Sequence, residues 1–546
     1  MTETARTSNN SGFARRSFLG MTALAAGALT ATGAAAPVLA QARSGSQTRA
    51  AERSPVVETA LGRIQGTYDG KVYAFKGVPY AASTGGANRF QPPQARQPWQ
   101  GVRDSAELGL RCAAPQSTAQ AEYVVMDRRE PAGEDCLCLN LWTNGLGKGK
   151  RPVMLWLHGG GYRVGSAGAS LYDGTNLAAK QDVVFVAANH RVNFWGYLHL
   201  SETGLDRFAQ SSNMGMLDIV AALEWIKANI AQFGGDPDNV TVIGQSGGGG
   251  KTSTLLGMPA AQGLYHRVVV MSGSEVRSQT RADAAETVER ALAALDLKPS
   301  QAERLLDMPY YQLREMLGSG PYRYSPLMDG RTIPQHVFDP VAPAMSANVP
   351  MLIGSTETEV TWSVQQHYDP LDDAALLHYA QRALETSEAK TREVLAVYRK
   401  GRPQASNLDL YLILATDMSG FRTGTDTEAE RKAALNKAPV YKYYFNWYSP
   451  VDDGHLRSMH TMDIPFFLDN VEAATSLIGD GPELQGIADR ISSAIVTFAR
   501  TGDPNGGGRP RWDPFDAKRR ATMFLGEDIH QVNDPYREER LARTSI

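Results

Sequence analysis

The feature that most constrains the fold is a five-residue glycine motif centred on a serine, Gly244-Gln245-Ser246-Gly247-Gly248. It follows residues 240–243, which are predicted to form a buried strand, and it precedes residues 251–256, which are predicted to begin a helix. A serine at such a turn is held in a sharp, strained backbone conformation, and small neighbours let that backbone tighten without a clash. The motif therefore predicts a strand–turn–helix unit with Ser246 as a nucleophile.

A phosphate-binding loop is the main alternative for this segment, because Gly250-Lys251-Thr252 resembles the end of such a loop. The phosphate motif G-x-x-x-x-G-K-[ST] would require a glycine at position 245. That position holds Gln245, and the nearest glycine, Gly244, lies one residue too early. The sequence therefore favours a nucleophilic serine over a phosphate site.

A second glycine run follows another predicted strand, at residues 153–157, and reads His158-Gly159-Gly160-Gly161-Tyr162. Acyl transfer requires backbone N–H groups that stabilise an oxyanion, and adjacent glycines let the backbone approach the substrate closely. This run precedes the serine motif in the order that acyl-transfer enzymes use. We therefore predict that the oxyanion donors are the amides of Gly160, Gly161 and Gly247.

Strands and helices alternate around these two motifs. Residues 183–188, 267–271 and 351–354 are further predicted strands. Apolar residues recur at steps of three and four in residues 214–233 and again in residues 484–498, which predicts two amphipathic helices. The alternation predicts an α/β fold, with a large and mostly parallel central sheet flanked by helices.

The composition is that of a soluble globular protein, with 42% hydrophobic and 21% charged residues. The formal net charge is only −3 and no block of lysine or arginine stands out, so nothing indicates a nucleic acid or an anionic membrane surface as partner. No repeat or low-complexity linker divides residues 55–546, which predicts one domain. The sequence gives no indication of the oligomeric state.

The N-terminus resembles a twin-arginine export signal. Arg15 and Arg16 precede a stretch of small and apolar residues, 18–36, and Ala40-Gln41-Ala42 fits a cleavage site, with residues 38–40 as a second choice. A membrane anchor or a chance arginine pair is the alternative, but the stretch is too rich in Ala, Gly and Thr for a permanent span. We predict a signal peptide at residues 1–42, a flexible leader at residues 43–54, and a periplasmic or secreted protein without a stable membrane span after signal removal.

The chain has three cysteines, Cys112, Cys136 and Cys138. An oxidising compartment would permit one disulfide and leave one thiol over, and spacing alone does not select the pair. The cysteines form no CxxC pair and no cluster with histidine, so a zinc site is not expected.

With these motifs in place, the chain resembles the type B carboxylesterase family, the cholinesterase-like group. The resemblance covers roughly residues 55–530 and is carried by residues 75–81, 89–93, 133–142, 213–248 and 497–504. It implies an α/β-hydrolase fold with inserted helical cap regions. It also implies hydrolysis of small-molecule carboxylic esters.

The family resemblance also implies a catalytic acid and a catalytic base. The acid of the family follows an Ile-Gly strand end, and Glu359 occupies its position, with Glu357 as the alternative. Val360 replaces the glycine that usually follows. The base opens an H-x-x-[ED]-[IL]-P-F segment, which matches His460 rather than the neighbouring His455. The resulting order along the chain is nucleophile, acid and base.

Four further residues take their expected roles from the same resemblance. It implies a disulfide between Cys112 and Cys136, and it leaves Cys138 as a buried free thiol. Ser272 matches a serine that supports the triad through hydrogen bonds, with a plain turn serine as the alternative. The chain departs from the family on either side of the nucleophile, where Gln245 replaces a glutamate and Gly247 replaces an alanine.

Four aromatic residues are candidates for a substrate pocket, although aromatics at such spacing often belong to a core: Tyr162, Phe194, Trp195 and Phe466. The triad predicts ester hydrolysis through an acyl-enzyme, without a metal or an organic cofactor. Acyl transfer or amide cleavage by the same triad is one alternative. A non-catalytic binding protein of cholinesterase-like fold is another.

Overall fold

Seven parallel strands form the centre of a twelve-stranded sheet in the computed structural model, which describes residues 51–115, 130–363 and 370–546. The strands within these residues are β1 (Glu52–Arg53), β2 (Val57–Thr59), β3 (Gly62–Gln65), β4 (Thr67–Tyr68), β5 (Tyr73–Pro79), β6 (Val102–Asp104), β7 (Arg111–Cys112), β8 (Ala132–Gly133), β9 (Cys138–Thr143), β10 (Gly147–Leu157), β11 (Val184–Ala188), β12 (Phe233–Gln245), β13 (Arg267–Met271), β14 (Met351–Thr356), β15 (Val440–Phe445), β16 (Ala521–Leu525) and β17 (His530–Asn533).

Helices lie between most of the parallel strands. The α-helices of the same residues are α1 (Thr175–Gln181), α2 (Asn193–Tyr197), α3 (Met214–Asn229), α4 (Gly247–Leu255), α5 (Arg281–Ala293), α6 (Tyr310–Leu317), α7 (Asp373–Leu384), α8 (Glu388–Gly401), α9 (Asn407–Met418), α10 (Gly420–Ala433), α11 (Ile464–Phe467), α12 (Thr475–Ile478), α13 (Leu484–Thr501) and α14 (Arg537–Thr544).

The strand order across the large sheet is β1-β4-β5-β9-β11-β10-β12-β13-β14-β15-β16-β17. Pairing is parallel from β11 through β16 and antiparallel towards both edges. Two small sheets, β2-β3-β6 and β7-β8, accompany it. The predicted large, mostly parallel sheet with flanking helices is therefore confirmed.

The central strands separate two hydrophobic cores. Successive side chains of a strand point to opposite faces, so Val153 and Leu155 of β10 enter one core while Met154 and Trp156 enter the other. All four side chains are fully buried. Burial on both faces explains why the parallel strands are continuous apolar runs rather than alternating patterns.

The register of the parallel strands aligns the loops that carry the predicted site. Leu157 is paired with Gly244, Gln245 with Met271, and Met271 in turn with Gly354. Because these strands run in the same direction, the loops that follow β10, β12, β13 and β14 all leave at the edge of the sheet formed by the carboxyl ends of the strands. That edge therefore collects the predicted oxyanion glycines, the nucleophile and the acid.

Both predicted amphipathic helices are present, and one ends earlier than predicted. The periodic apolar residues of α13 are all buried against the core, from Leu484 to Phe498. Helix α3 ends at Asn229, and after a short 3₁₀ turn Phe233 already begins β12. Phe233 pairs with Gly147, and its carbonyl accepts the Thr143 hydroxyl. Sheet pairing thus replaces the helix, although the apolar spacing continues.

Helical segments are inserted between consecutive strands of the sheet. Helices α5 and α6 lie between β13 and β14, and helices α7 to α10 lie between β14 and β15. The second group has a small core of its own, in which Leu384, Tyr398 and Ile413 are buried. These insertions follow the strands whose carboxyl ends carry the site.

The folded domain includes residues that precede the predicted domain boundary. Residues 52 and 53 form β1, which pairs with β4, and the Ser54 hydroxyl accepts the Gly66 N–H at 2.9 Å. The end of the predicted flexible leader is therefore part of the fold, because its backbone completes the edge of the sheet. The described residues belong to one unit that runs from Arg49 to Ile546. The predicted signal peptide and residues 43–50 lie outside the described residues.

No helix among the described residues combines the length and the apolar character needed to cross a membrane.

Candidate active site

Ser246 occupies the sharp turn between β12 and α4. Its backbone has φ 58° and ψ −125°, a conformation that costs a residue with a side chain about 1–3 kcal/mol. Two hydrogen bonds hold it there: the Ser246 N–H donates to Met271 O at 2.8 Å, and Ser246 O accepts the Gly250 N–H at 2.9 Å. The helix begins at Gly247, directly after the serine and four residues earlier than predicted. The predicted strand–turn–helix unit is therefore present.

The glycines around the serine are required by close approaches of the backbone. A Cβ on Gly247 would lie 1.9 Å from Gly161 O, and a Cβ on Gly248 would lie 1.9 Å from Leu157 O. On the other side, a Cβ on Gly273 would lie 1.9 Å from Ser246 O. Real Cβ atoms do not approach oxygen so closely, so the first turn of α4 is packed directly against two neighbouring loops.

The predicted oxyanion glycines lie beside this turn. Gly160 and Gly161 have φ values of 91° and 63°, which favour glycine. The carbonyl of Gly160 accepts the N–H groups of Arg163 and Val164, at 3.2 and 3.1 Å, so the run forms a tight turn. A Cβ on Gly159 would lie 3.4 Å from the Cβ of Ser246. The structure thus brings the glycine loop into contact with the nucleophile turn.

Glu359 and His460 are joined although 101 residues separate them. The Nδ1 atom of His460 lies 2.5 Å from Oε2 of Glu359, and the Thr356 N–H donates to Oε1 at 2.7 Å. Burial alone would raise the pKa of Glu359, but the charge and hydrogen bond of His460 outweigh it and lower the pKa overall. Val360, in place of the usual glycine, has no positive φ, so a side chain fits there without strain.

The two alternative residues make other contacts. Glu357 accepts the Tyr444 hydroxyl at 3.1 Å and lies 3.9 Å from the guanidinium of Arg402. His455 contacts the Asp452 carbonyl at 2.5 Å in a short turn. Neither residue takes part in the Glu359–His460 pair.

Gln245 contacts the other nitrogen of the imidazole. Its buried Nε2 lies 3.3 Å from Nε2 of His460. Because Nδ1 of His460 donates to the carboxylate of Glu359, Nε2 is the accepting nitrogen and the amide of Gln245 is the donor. A glutamate at this position would instead place a negative charge beside the base.

Three residues near the pair complete its surroundings. The Phe421 ring of α10 lies 4.5 Å from the imidazole, between ring centres, and no sequence motif marks this residue. Ser272, predicted to support the triad, is buried with φ 47°, and it contributes to the lowered pKa of Glu359 without a hydrogen bond of regular geometry. Burial, together with the charge of Glu359, raises the pKa of Asp463 to about 7, and this carboxyl accepts the Tyr443 hydroxyl at 2.8 Å.

The disulfide predicted between Cys112 and Cys136 is absent, because all three cysteines are buried free thiols. The neighbouring Cys112 thiol, together with burial, raises the pKa of Cys136. The Cys138 thiol lies 3.8 Å from the Asn189 amide, and burial raises its pKa to about 12. Its predicted place as a buried thiol agrees with the structure.

The four aromatic pocket candidates are not gathered at one place. Phe466 packs against Phe445 and Trp447 in the core on the opposite face of the sheet from Phe194 and Trp195. These three candidates are almost fully buried, so we assign them to the cores rather than to a pocket.

Tyr162, the fourth aromatic candidate, is half-buried at the end of the glycine loop. Its hydroxyl donates to Glu275 at 3.0 Å. Burial raises the pKa of this glutamate to about 7. Of the four candidates, Tyr162 is therefore the one that belongs to the segment beside Ser246.

Lys251 lies near Ser246, and the sequence assigned no role to it. It is fully buried, and its Nζ donates to the carbonyls of His158 and Gly161 at 3.2 and 3.1 Å. Burial lowers its pKa to about 7. The sequence considered this lysine only as part of a rejected phosphate loop, because its contacts depend on the position of a loop 90 residues away.

Comparison with known proteins places the whole described fold in one family. The model of the carboxylesterase family matches residues 53–544. The para-nitrobenzyl esterase of Bacillus subtilis is 32% identical over 502 residues, which cover 89% of this chain and 97% of the relative.

Two solved structures are similar over nearly their whole length. A carboxylesterase of Geobacillus stearothermophilus has a TM-score of 0.76 and 34% identity, over 89% of this chain and 99% of its own. An esterase of Clostridium hathewayi, described as able to hydrolyse aliphatic aromatic polyesters, has a TM-score of 0.79 and 32% identity, over 91% of this chain and 100% of its own. The protein therefore belongs to the carboxylesterase family, has the α/β-hydrolase fold and is a carboxylic-ester hydrolase.

Proposed function

We propose that this enzyme cleaves esters through a Ser246–His460–Glu359 triad and an acyl-enzyme intermediate. The observation that carries the proposal is the 2.5 Å contact between Nδ1 of His460 and Glu359, at the edge of the sheet that also carries the Ser246 turn. The carboxylate fixes the imidazole in the tautomer whose Nε2 can accept a proton. Glu359 stays ionised for this task because its pKa is lowered.

In the first step the Ser246 oxygen attacks the ester carbonyl carbon and its proton passes to Nε2 of His460. The carbonyl electrons move to the oxygen, which the amides of Gly160, Gly161 and Gly247 stabilise. Each such donor contributes roughly 3–4 kcal/mol to transition-state binding. The amide of Gly247 is free for this role because it opens α4, where the first N–H groups have no partner within the helix.

In the second step the bond to the alcohol oxygen breaks and His460 returns the proton to that oxygen. Water then attacks the acyl carbon while His460 accepts its proton. The bond to Ser246 breaks, the serine recovers the proton, and the acid leaves. The Gln245 amide occupies Nε2 of His460 in the structure, so it must yield this position to the serine hydroxyl.

We propose esters with an aromatic alcohol or acid group as the first substrates to examine. The name of the B. subtilis relative and the description of the Clostridium hathewayi esterase both point to aromatic esters. In this chain the half-buried ring of Phe421 offers an aromatic surface beside the imidazole.

The hydrolase mechanism is tested with p-nitrophenyl acetate and butyrate and with a fluorophosphonate label. We expect turnover, a burst of nitrophenol, and labelling of one serine that Ser246→Ala abolishes. Glu357→Gln and His455→Ala are matched controls that keep activity. Analysis of products with added alcohol or amine distinguishes hydrolysis from acyl transfer, and an amide substrate tests amide cleavage. Absence of both turnover and labelling would contradict the mechanism.

We also propose export through the twin-arginine route. The support is the order of Arg15-Arg16, an apolar stretch and a small-residue cleavage site within residues 1–42. N-terminal sequencing of the mature protein should begin near Arg43, and replacement of both arginines by lysine should retain the precursor in the cytoplasm. A full-length protein that is exported unchanged would contradict the proposal.

A further inference from the structure

We propose that Lys251 is a positioning residue for the oxyanion hole: its buried side chain fastens the glycine loop to helix α4 and holds the donor amides in place. The inference rests on the proposed function, because it assigns the hole to Gly160 and Gly161. It adds a residue outside the triad whose effect on catalysis passes entirely through the loop.

The contacts of Lys251 enclose the segment that must be held. Its Nζ donates to His158 O at 3.2 Å and to Gly161 O at 3.1 Å. The peptides that carry the N–H groups of Gly160 and Gly161 lie between these two carbonyls in the chain. Fixing the carbonyls on both sides therefore fixes the direction of the two amides, in a glycine run that has no side chains of its own to do so.

Gly247, on the same helix, leaves the space in which the glycine loop can approach Lys251. Gly247 and Lys251 are four residues apart on α4, so they lie on the same face of the helix. A Cβ on Gly247 would lie 1.9 Å from Gly161 O, so the loop carbonyl occupies the place that an alanine methyl would take. This close approach places the same oxygen within hydrogen-bond distance of Lys251 Nζ, one helical turn later. Gly247, which replaces the alanine usual in the family, and the side chain of Lys251 therefore both act on the carbonyl oxygen of Gly161.

The cost of burial argues against a role in packing alone. Lys251 is fully buried, and among residues 51–115, 130–363 and 370–546 it has no carboxylate within ion-pair distance. The face of the Tyr162 ring also lies beside it, with the ring centre 5.5 Å from Nζ. An apolar side chain could fill the same space without taking a charge out of water. What an apolar chain could not do is bind the two loop carbonyls.

The experiment compares Lys251→Met with Lys432→Met. Lys432 of α10 is a suitable control, because it is also fully buried, burial also lowers its pKa, to about 8, and its Nζ donates to the Ala347 carbonyl, which is not part of the glycine loop. We expect Lys251→Met to lower kcat for p-nitrophenyl butyrate roughly 10- to 100-fold with little change in KM, since oxyanion donors act mainly in the transition state. The rate of phosphonate labelling of Ser246 should fall in parallel. Lys432→Met should lower Tm but leave kcat unchanged.

A second variant covers the case in which Lys251→Met does not fold. Gly247→Ala keeps the lysine and the amide but displaces the Gly161 carbonyl, so it should lower kcat in the same way. In the double variant the two losses should not add, because both act on one contact. Wild-type kcat in either single variant, or a loss confined to KM or Tm, would overturn the inference. Failure of the wild-type enzyme to use Ser246 would instead refute the proposed function.

Discussion

The two halves of the site are built in different ways. The half that carries the proposed nucleophile consists mainly of backbone: main-chain hydrogen bonds hold Ser246 and the glycine loop, and close contacts around several glycines leave no space for a Cβ. The acid–base half consists of side chains, Glu359 and His460, which come from loops 101 residues apart. Backbone packing should tolerate almost no added volume, whereas the side-chain half should respond to changes of charge.

The largest effect is expected for removal of the nucleophile itself. Ser246→Ala should lower kcat by roughly 10⁴- to 10⁶-fold, because no covalent intermediate can form. The variant should keep the Tm of the wild type or exceed it, since alanine removes only one half-buried hydroxyl. Steady-state hydrolysis of p-nitrophenyl butyrate and thermal unfolding measure the two quantities. A residual rate within tenfold of the wild type would remove Ser246 from the mechanism.

The acid provides the next test. Glu359→Gln should lower kcat by roughly 10²- to 10⁴-fold, because the amide neither fixes the imidazole tautomer nor stabilises its charged form. Glu357→Gln, two residues earlier and bonded to Tyr444, should stay within about threefold of the wild type. Parallel kcat measurements decide between the two glutamates. Equal losses would mean that the loop as a whole, rather than one carboxylate, is being disturbed.

Added volume in the backbone half should cost both stability and rate. A methyl group on Gly273 would lie 1.9 Å from Ser246 O and would push the serine turn away from its position. Gly273→Ala should lower the free energy of unfolding by about 1–3 kcal/mol. It should also lower kcat roughly tenfold or more, since small misplacements of reacting groups are costly. Gly486→Ala, at a glycine of α13 that has open space around it and, like Gly273, no positive φ, is the control for the added methyl group.

A change of charge in the other half should appear in the pH profile. Gln245→Glu places a carboxylate where the amide now contacts Nε2 of His460. A nearby negative charge favours the protonated imidazole, so the acidic limb of the kcat/KM profile should move to higher pH by about one unit. The rate at the plateau should change only a few-fold. An unchanged limb would show that residue 245 does not contact the base in solution.

The smallest expected effect concerns stability in acid. The pKa of Glu359 is lower in the folded protein than its ordinary value of 4.5. Its contribution to stability is therefore complete above about pH 4.5 and is lost as the pH falls through the folded pKa. Urea unfolding at several pH values should show that the difference between wild type and Glu359→Gln shrinks on acidification below that value. A difference that stays constant with pH would contradict the lowered pKa.

The contrast between the two halves also explains what could be predicted. Ser246 and its glycines form a continuous motif between a strand and a helix, so local rules of backbone geometry identify them. Glu359 and His460 were found only by resemblance to a family, since an isolated glutamate or histidine carries no local signal. Phe421 was missed because it lies in an inserted helix without a motif.

What the sequence left open or misplaced has the same origin. Phe194, Trp195 and Phe466 were candidates for a pocket, with a core as the alternative, and the sheet separates them into two cores. The end of α3 was misplaced because apolar spacing continues through Phe233, whereas sheet pairing takes that residue into β12. In each case the position of the residue was decided by packing or pairing with residues that are distant in the sequence.

The sequence by itself determined the parallel sheet, the serine turn and the position of the glycine loop, because strand periodicity and glycine geometry are local properties of the chain. Only the tertiary structure decided which carboxylate meets His460, that Cys112 and Cys136 are buried free thiols, and that Lys251 reaches the loop carbonyls. These contacts depend on the register of four parallel strands, which brings their following loops to one edge. Such long-range contacts depend on how the whole sheet packs rather than on any short segment of sequence.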